Sequence, residues 1–400
     1  MHDLNWKSWR EATVCLAVLG VLALGGPWAA GAGEMSLPGV ALGDAHSVGG
    51  PIRVDNLVIF PIYASVHEDV GAFETLDEAL KAGRAVVREV GTEPTPAPPQ
   101  PSMGRRVLQR AVGVRNDNVA VDQDEVIQEQ VQFGGGATVG TLVIENTGHK
   151  AILVLAGTVV KGGNQDRQVG QDFVVGPKQV VPVDAFCVEH GRWSGAREGE
   201  ATGGQFGTVG VLASQRVRVA GQYKGDQSAV WENVALDNAD NAKGTETGTL
   251  MATLDDPEVK AKRDALVSQI TAALDALPEH TRVAGLAYAV DGDVTGARWF
   301  VNHDMYLKFR PMLLGTMSVE AVTAQNATKA QGKPMIIRTV PQKAVGTFIE
   351  DLKNSKVQKE TATKAMNHNA YRENEGGFSS ECVVERKGRK IQFSMDFLAR

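Results

Sequence analysis

The sequence has little cysteine and no excess of positive charge. Only three cysteines occur in 400 residues, which is too few for a fold built on disulfides. The formal net charge is −6 at pH 7, and such a balance is unfavourable for a chain that must follow a nucleic-acid backbone. We therefore expect no nucleic-acid partner. A hydrophobic fraction of 43% supports a core held by apolar packing instead.

The sequence also lacks an apolar run long enough to span a bilayer. The run at residues 12–24 is too short to cross about 30 Å of hydrocarbon as a helix. It follows a start that carries Lys7 and Arg10, and it precedes the small residues Ala30-Gly31-Ala32. This arrangement predicts a cleaved signal peptide over residues 1–32 and export to the periplasm or the extracellular space. It also predicts a mature chain without a membrane span, and an uncleaved anchor is the alternative.

Removal of the signal would leave two cysteines, Cys187 and Cys382. Two thiols in an oxidising compartment predict one disulfide between them. The alternative is that they are core residues, because a chain of this length can build a sufficient core without a cross-link.

The order of local patterns predicts an α+β fold. Short β-branched runs in the first half indicate an antiparallel sandwich or jelly-roll-like sheet, and the second half supplies the helices that pack on it. In that half we expect a helix between Asp256 and Pro278 with one apolar stripe that includes Leu266 and Ile270. We also expect a hairpin over residues 282–301 around Asp291-Gly292-Asp293, and one or two helices over residues 305–324 interrupted near Gly315. We expect a flexible lead-in at residues 33–50, a main domain at 51–325 with a proline-rich insertion at 92–104, and a C-terminal extension at 335–400. That extension is predicted to hold one helix and a β-hairpin, with Ile391, Phe393, Met395 and Phe397 on one face of its last strand.

Familiar catalytic signatures are missing. There is no Ser-His-Asp order, no Gly-x-Ser-x-Gly elbow and no His-Glu-x-x-His helix. The glycine pair at 162–163 is not a Walker loop, because Lys161 precedes it and no helix with Ser or Thr follows.

One polar loop is a candidate ligand site. Lys161 and the glycine pair are followed by Gln165, Asp166 and Arg167. Glycines let a ligand approach the backbone, and a guanidinium can hold a phosphate with two hydrogen bonds. A tight turn in which Asp166 and Arg167 pair structurally is the alternative interpretation.

A second polar loop holds Glu189, His190, Arg192 and Trp193, and we expect it to meet the first loop at one end of the sheet. The two arginines would then hold an anion, with Trp193 as a wall. The alternative is that Glu189 and Arg192 pair to fix the loop. Cys187 and His190, three apart on a strand, do not face each other, so neither a nucleophile nor a metal site is predicted.

Gln227 and Trp231 are further candidates, because residues four apart share one face of a helix. Packing of Trp231 in the core is the alternative.

The stretches at 155–157, 161–167 and 187–193 resemble the ARPP-1 domain family, as do those at 76–80, 226–231 and 309–314. The resemblance extends from about residue 54 to 322, and the proline-rich insertion and the tail after Lys333 are departures from it. The family name records association with ADP-ribosylglycohydrolases and rhodanese-phosphatase proteins. The resemblance therefore implies a fold and a link to NAD-derived or ADP-ribose-like molecules, but not an activity.

Taken together, these patterns predict an exported domain that binds a partner or a small ligand, with a small anion or a nucleotide-derived molecule as the expected ligand. An enzyme acting on an ADP-ribose-like or phosphorylated substrate is one alternative. A structural envelope protein is the other. The sequence specifies neither a cofactor nor an oligomeric state.

Overall fold

Tight turns set up the longest sheet of the protein. The computed structural model describes residues 37–43, 45–90, 140–197, 200–334 and 338–400. Two long hairpins in it are closed by adjacent residues with positive φ. Asp291 and Gly292 have φ of 53° and 88°, and Lys387 and Gly388 have 50° and 72°. Two consecutive residues of this kind match the right-handed twist of the flanking strands, which is why such pairs close hairpins. Both hairpins predicted from the sequence are confirmed.

The described residues form twenty-one strands: β1 (Val40–Leu42), β2 (His46–Val48), β3 (Ile52–Val54), β4 (Leu57–Ala64), β5 (Phe73–Thr75), β6 (Ala85–Glu89), β7 (Thr141–Asn146), β8 (Ala151–Val154), β9 (Thr158–Gly162), β10 (Arg167–Val169), β11 (Phe173–Val175), β12 (Val180–Cys187), β13 (Ala196–Arg197), β14 (Glu200–Ala201), β15 (Phe206–Leu212), β16 (Val283–Val290), β17 (Asp293–Phe300), β18 (Val357–Ala362), β19 (Asn367–Asn374), β20 (Gly377–Arg386) and β21 (Arg389–Ala399).

The same residues form seven α-helices: α1 (Leu76–Lys81), α2 (Gln215–Arg218), α3 (Gln227–Asp240), α4 (Met251–Leu254), α5 (Pro257–Asp275), α6 (His303–Ala330) and α7 (Gln342–Lys353). A π-helical turn, Val219–Tyr223, continues α2, and a 3-10 turn, His280–Arg282, precedes β16.

Four sheets organise these strands. A ten-stranded sheet runs in the order β1-β2-β4-β16-β17-β21-β20-β19-β18, with β3 also paired to β4. A six-stranded sheet runs β15-β9-β10-β12-β7-β6, a three-stranded sheet runs β11-β8-β5, and β13 pairs with β14. Neighbouring strands are antiparallel, apart from the parallel pair of β5 and β8. Antiparallel sheets with helices supplied mainly by the second half confirm the predicted α+β class.

Helices cover both faces of the ten-stranded sheet. Alternation along β4 sends Ile59 to the face that packs on α5 and α6, and Phe60 to the face that packs on α7. The predicted apolar stripe of α5, which includes Leu266 and Ile270, is buried in the first of these clusters.

The six-stranded and three-stranded sheets share a core of their own, as expected for a sandwich. Ile144 and Val183 of the larger sheet and Val154 of the smaller one are buried together in it. The opposite face of the larger sheet packs on α3 and α4, where Val159 meets Val230. The loops at the ends of β9 and β12 therefore lie between a sandwich core and a helical layer.

Two predictions about chain organisation need correction. Residues 33–50 are not all a flexible lead-in, since β1 and β2 join the ten-stranded sheet and Leu42 and Val48 are buried. Residues 335–400 are not an extension, because β21 pairs with β17 and completes the hydrogen bonds of that strand. Leu37–Arg400 forms one compact unit. The predicted signal peptide and the insertion at 92–104 lie outside the described residues.

The predicted alternation of β21 is also wrong. The register between β20 and β21 shifts, because Cys382 pairs with Ser394 and Val383 with Gln392, so Phe393 is an extra residue. A bulge of this kind reverses the phase of the side chains beyond it. Phe393 packs with α5 and α6, whereas Phe397 packs with α7.

The predicted interruption of α6 near Gly315 does not occur, since the helix is continuous from His303 to Ala330. Gly315 is needed for packing instead, because a Cβ there would lie 3.0 Å from Cγ1 of Val211 on β15.

Candidate functional site

The two polar loops predicted from the sequence do converge. We call residues 161–167 the first loop and residues 189–193 the second loop. Strand β10 lies between β9 and β12, and Arg167 at its start pairs with Cys187 at the end of β12. The first loop therefore enters β10 at the same end of the sheet where the second loop leaves β12.

Asp166 is the centre of the contact between the loops, and its side chain is fully buried. Both carboxylate oxygens accept hydrogen bonds at 2.7 Å from Nη1 of Arg197, and Oδ2 also accepts one at 2.8 Å from the hydroxyl of Thr249. The backbone N–H of Asp166 donates to Oε2 of Glu189 at 3.1 Å. Through its carboxylate and its backbone N–H, Asp166 thus joins the first loop to three other segments of the chain.

Arg192 is buried and has several partners. Its Nε donates to Oε2 of Glu189 at 2.9 Å, and Nη1 donates to the carbonyls of Gly163 and Ser194 at 2.7 and 2.9 Å. Its Nη2 donates to the carbonyl of Gly162 at 3.1 Å. A guanidinium has five N–H donors, and in Arg192 most of them already hold the first loop against the second. The predicted alternative, in which Glu189 and Arg192 fix the loop, matches this geometry.

Arg167 points to other partners. Its Nη1 donates to Oε1 of Gln165 at 2.8 Å, and its Nη2 lies 3.5 Å from Oε1 of Glu89 on β6. Gln165 in turn donates to the carbonyl of Glu189 at 2.9 Å. Arg167 is therefore a buried link within the sheet, and it does not pair with Asp166 as the turn interpretation expected.

The remaining loop residues are more exposed. Nζ of Lys161 lies 2.7 Å from Oδ2 of Asp255, and both side chains are more than a third exposed. Trp193 is 56% exposed. His190 lies edge-on to the ring of Trp231 at 4.6 Å between centroids.

Gln227, at the start of α3, binds the backbone of β12. Its Oε1 accepts from the N–H of Cys187, and its Nε2 donates to the carbonyl of the same residue, both at 2.8 Å. The side chain acts like one residue of a neighbouring strand and fastens α3 to the sheet.

The predicted disulfide is wrong, because Cys187 and Cys382 are both free and buried. Cys187 ends β12 of the six-stranded sheet, while Cys382 lies on β20 of the ten-stranded sheet. Burial raises the pKa of each thiol, so both are poor nucleophiles at neutral pH.

Sequence reasoning missed a cavity of about 250 Å³ between β15, α2, α3, α4 and α6. We call it the carboxylate cavity, after Glu320, Asp237 and Asp240 in its lining. The other lining residues are Leu212, Ser214, Gln215, Arg216, Leu250, Thr253, Leu254, Val290, Thr295, Thr316, Val319, Thr323 and Ala324. A cavity with apolar walls and a few convergent polar groups is the usual form of a small-molecule site.

Glu320, on α6, is the group in this cavity that titrates near neutral pH. Its Oε1 accepts from the N–H of Gln215 at 2.7 Å, and its Oε2 accepts from the hydroxyl of Tyr288 at 2.8 Å. Desolvation outweighs these two hydrogen bonds and raises the pKa of Glu320 to about 7.

Asp237 and Asp240, one turn apart on α3, share a single cation. Nε of Arg216 lies 2.7 Å from Oδ1 of Asp237, and Nη2 lies 2.5 Å from Oδ2 of Asp240. Ser214 donates to the second oxygen of Asp237 at 2.7 Å. Burial raises the pKa of Asp237 despite these partners.

The first loop supports a wall of this cavity from outside. Thr249, which donates to Asp166, directly precedes Leu250 in the chain, and the N–H of Leu250 donates to the carbonyl of Val188 at 2.9 Å. Leu250, Thr253 and Leu254 then line the cavity.

Among the described residues, no group of His, Cys, Asp and Glu is arranged to hold a metal ion. In the same part of the chain, no helix has the length and apolar character needed to cross a bilayer.

The fold and the site define an α+β domain with a cavity lined by helices, by β15 of the six-stranded sheet and by β16 and β17 of the ten-stranded sheet. The chain belongs to the ARPP-1 family, the ARG and Rhodanese-Phosphatase-superfamily-associated Protein domain, whose model matches residues 45–395. The match confirms the resemblance and extends it through the C-terminal strands, which we had expected to lie outside it. Comparisons with curated proteins and with solved structures gave no match.

Proposed function

We propose that this chain is a small-molecule-binding domain and that its ligand occupies the carboxylate cavity. The observation that carries the proposal is the location of Glu320, a carboxyl group with a displaced pKa, in a cavity that also has apolar walls. Perturbed titratable groups collect in binding and active sites because such sites combine desolvation with specific partners.

The two polar loops support this cavity in our proposal and do not form a separate anion site. Arg167 and Arg192 are buried, and carboxylates, an amide and backbone carbonyls already occupy their donors. Binding of a phosphate by either arginine would break these hydrogen bonds, and at Arg192 it would also compete with the buried ion pair to Glu189. A nucleotide-derived ligand held by these two arginines is therefore disfavoured, and the exposed loop side chains that a partner could contact are those of Trp193 and His190.

Cavity filling tests the proposal. Ala324 lines the cavity on α6, and Ala327 is a partly buried residue of the same helix that does not line it. Ligands would first be found by thermal shift with a panel of nucleotides, sugars, amines and organic acids, because a ligand stabilises the state that binds it. Ala324→Phe should then weaken binding at least about tenfold, while Ala327→Phe should leave it unchanged. Equal binding by both variants would contradict the proposal.

An enzyme is the second candidate, and the pKa of Glu320 favours it. A carboxyl group that titrates at about 7 can both donate and accept a proton near neutral pH. The family association would make an ADP-ribose-like or phosphorylated compound the substrate to try first. Incubation followed by mass spectrometry would show turnover, and Glu320→Gln should abolish turnover while it preserves binding. Turnover that survives this substitution would exclude Glu320 as the proton-transfer group.

We also propose that the chain is exported, on the basis of the apolar run at 12–24 and the small residues after it. Mass spectrometry of the protein from its source cell should find a mature N-terminus close to Gly33. Recovery of soluble protein that retains Met1 would contradict export.

A further inference from the structure

The carboxylate cavity carries more negative than positive charge. Glu320, Asp237 and Asp240 line it, and Arg216 is the one cation among the described residues of the lining. Arg216 forms ion pairs with both aspartates, so its charge does not neutralise Glu320. Charges set in a protein interior are normally paired, because desolvation makes an isolated one costly.

In the part of the chain that the structure describes, the groups packed around Glu320 do not supply a cation that is free to pair with it. Glu320 accepts hydrogen bonds from the backbone N–H of Gln215 on α2 and from the hydroxyl of Tyr288 on β16. Arg218 of α2 favours the ionised form, but this guanidinium forms its own ion pair with Asp396. Asp237 of α3 acts in the opposite direction. The carboxylate is therefore satisfied by hydrogen bonds but not neutralised.

Other parts of the cavity wall are apolar. Leu212, Leu254 and Val319 line the same cavity, so a ligand there meets hydrocarbon as well as acceptor oxygens. A carboxylate is an acceptor only, and an ammonium is a donor only, so the two are matched in both charge and hydrogen bonding.

We infer that the ligand of the carboxylate cavity is a small organic cation, a protonated amine on a compact apolar body, whose ammonium pairs with Glu320. This inference rests on the proposed function, since it assumes that the cavity is the binding site. The expected ligand is a cation because Glu320 has no positively charged partner in the cavity.

Matched probes test the inference on the whole chain. Butylamine and butan-1-ol form one pair, and benzylamine and benzyl alcohol form another, so that each pair differs in its charged group. Binding is measured by calorimetry at pH 6 and pH 8. Both amines stay protonated over this range, as a lysine side chain does. We expect the amines to bind at least about tenfold more tightly than the alcohols at pH 8.

The pH dependence has a definite sign. The pKa of Glu320 is about 7, so its ionised fraction, and with it the affinity for an amine, should rise about tenfold from pH 6 to pH 8. Glu320→Gln should remove both the preference for amines and its pH dependence, while Ala327→Phe should leave both intact.

The contradicting outcomes separate this inference from the proposed function. If the alcohols bind as tightly as the amines and Ala324→Phe abolishes both, the cavity is a site but not for cations. If no amine binds while another class of ligand is lost on Ala324→Phe, the inference fails alone. If amines bind equally to the parent chain and to Ala324→Phe, both the inference and the cavity site fail.

Discussion

Removal of the Arg192 guanidinium decides whether the second loop is a scaffold or a ligand site. In Arg192→Met, Glu189 would lose its cation and the carbonyl of Gly162 would lose a side-chain donor, while the carbonyl of Gly163 would keep the hydroxyl of Thr202 as its side-chain donor. Breaking a buried ion pair by removing one partner costs about 3–5 kcal/mol, because the other charge remains buried. We expect a loss of this size in the free energy of unfolding.

The loss should be visible as a shift in melting temperature. At about 2 °C per kcal/mol, which suits a domain of more than about 150 residues, the midpoint should fall by roughly 6–10 °C. Urea unfolding followed by circular dichroism would give the free energy itself. Lys161→Met is the matched control from the first loop, because its ion pair with Asp255 is solvent-exposed and should be worth no more than about 1 kcal/mol.

The opposite outcome would refute this reasoning. Suppose that Arg192→Met unfolds within about 1 kcal/mol of the parent chain. If the same variant also lost binding of ADP-ribose or pyrophosphate that the parent chain shows, the guanidinium would be a ligand group and the scaffold interpretation would be wrong.

Three further predictions follow from single contacts. Folding raises the pKa of Glu320 from 4.5 to about 7, so the stability that this carboxyl group contributes below about pH 4.5 is lost as the pH rises to 7. Relative to the parent chain, the free energy of unfolding of Glu320→Gln should therefore increase by up to about 3 kcal/mol between pH 5 and pH 8 in urea titrations. A difference that stays constant with pH would contradict this prediction. Gln227→Ala should cost about 1–3 kcal/mol in the same assay, since both backbone groups of Cys187 lose their partner, and an unchanged midpoint would show that water replaces the side chain. In a chain that begins near Gly33, two thiols should react with a maleimide reagent only after unfolding, and dithiothreitol should leave the melting temperature unchanged. If no thiol reacts after unfolding, Cys187 and Cys382 form the disulfide after all.

Local chemistry was sufficient to predict the parts of the fold that depend on neighbours in the chain. The turn at Asp291-Gly292 needs two residues that tolerate positive φ, and the stripe on α5 needs one apolar residue per turn. The bulge at Phe393 has no such signal, because the residues around it alternate as a regular strand would. It arises in the pairing with β20 of the same hairpin, while the other edge of β21 pairs with β17, a strand far away in the chain.

The carboxylate cavity was not predictable for the same reason. Its lining residues lie between positions 212 and 324 and come from several strands and helices, so no single sequence motif contains them. One signal was present in the sequence. Glu320 is the only charged residue between Met312 and Thr323, a stretch of α6 that is otherwise buried. A lone acid in such a stretch indicates a partner or a cavity, and no loop motif carries that signal.

The polar loops show why residue type alone could not separate a site from a scaffold. Glycines beside Lys161, Asp166 and Arg167 suit a phosphate, but the same groups also suit a loop that must satisfy its own buried backbone. What decides between the two is where the partners come from. Asp166 receives one donor from Arg197, 31 residues away, and another from Thr249, 83 residues away. With those donors in place, the carboxylate of Asp166 is fully buried and its charge is neutralised by Arg197. Both carboxylate oxygens of Glu320 also accept hydrogen bonds, but no cation pairs with Glu320 among the described residues that line the cavity. The unmatched charge, and not the density of charged residues, is what points to a ligand.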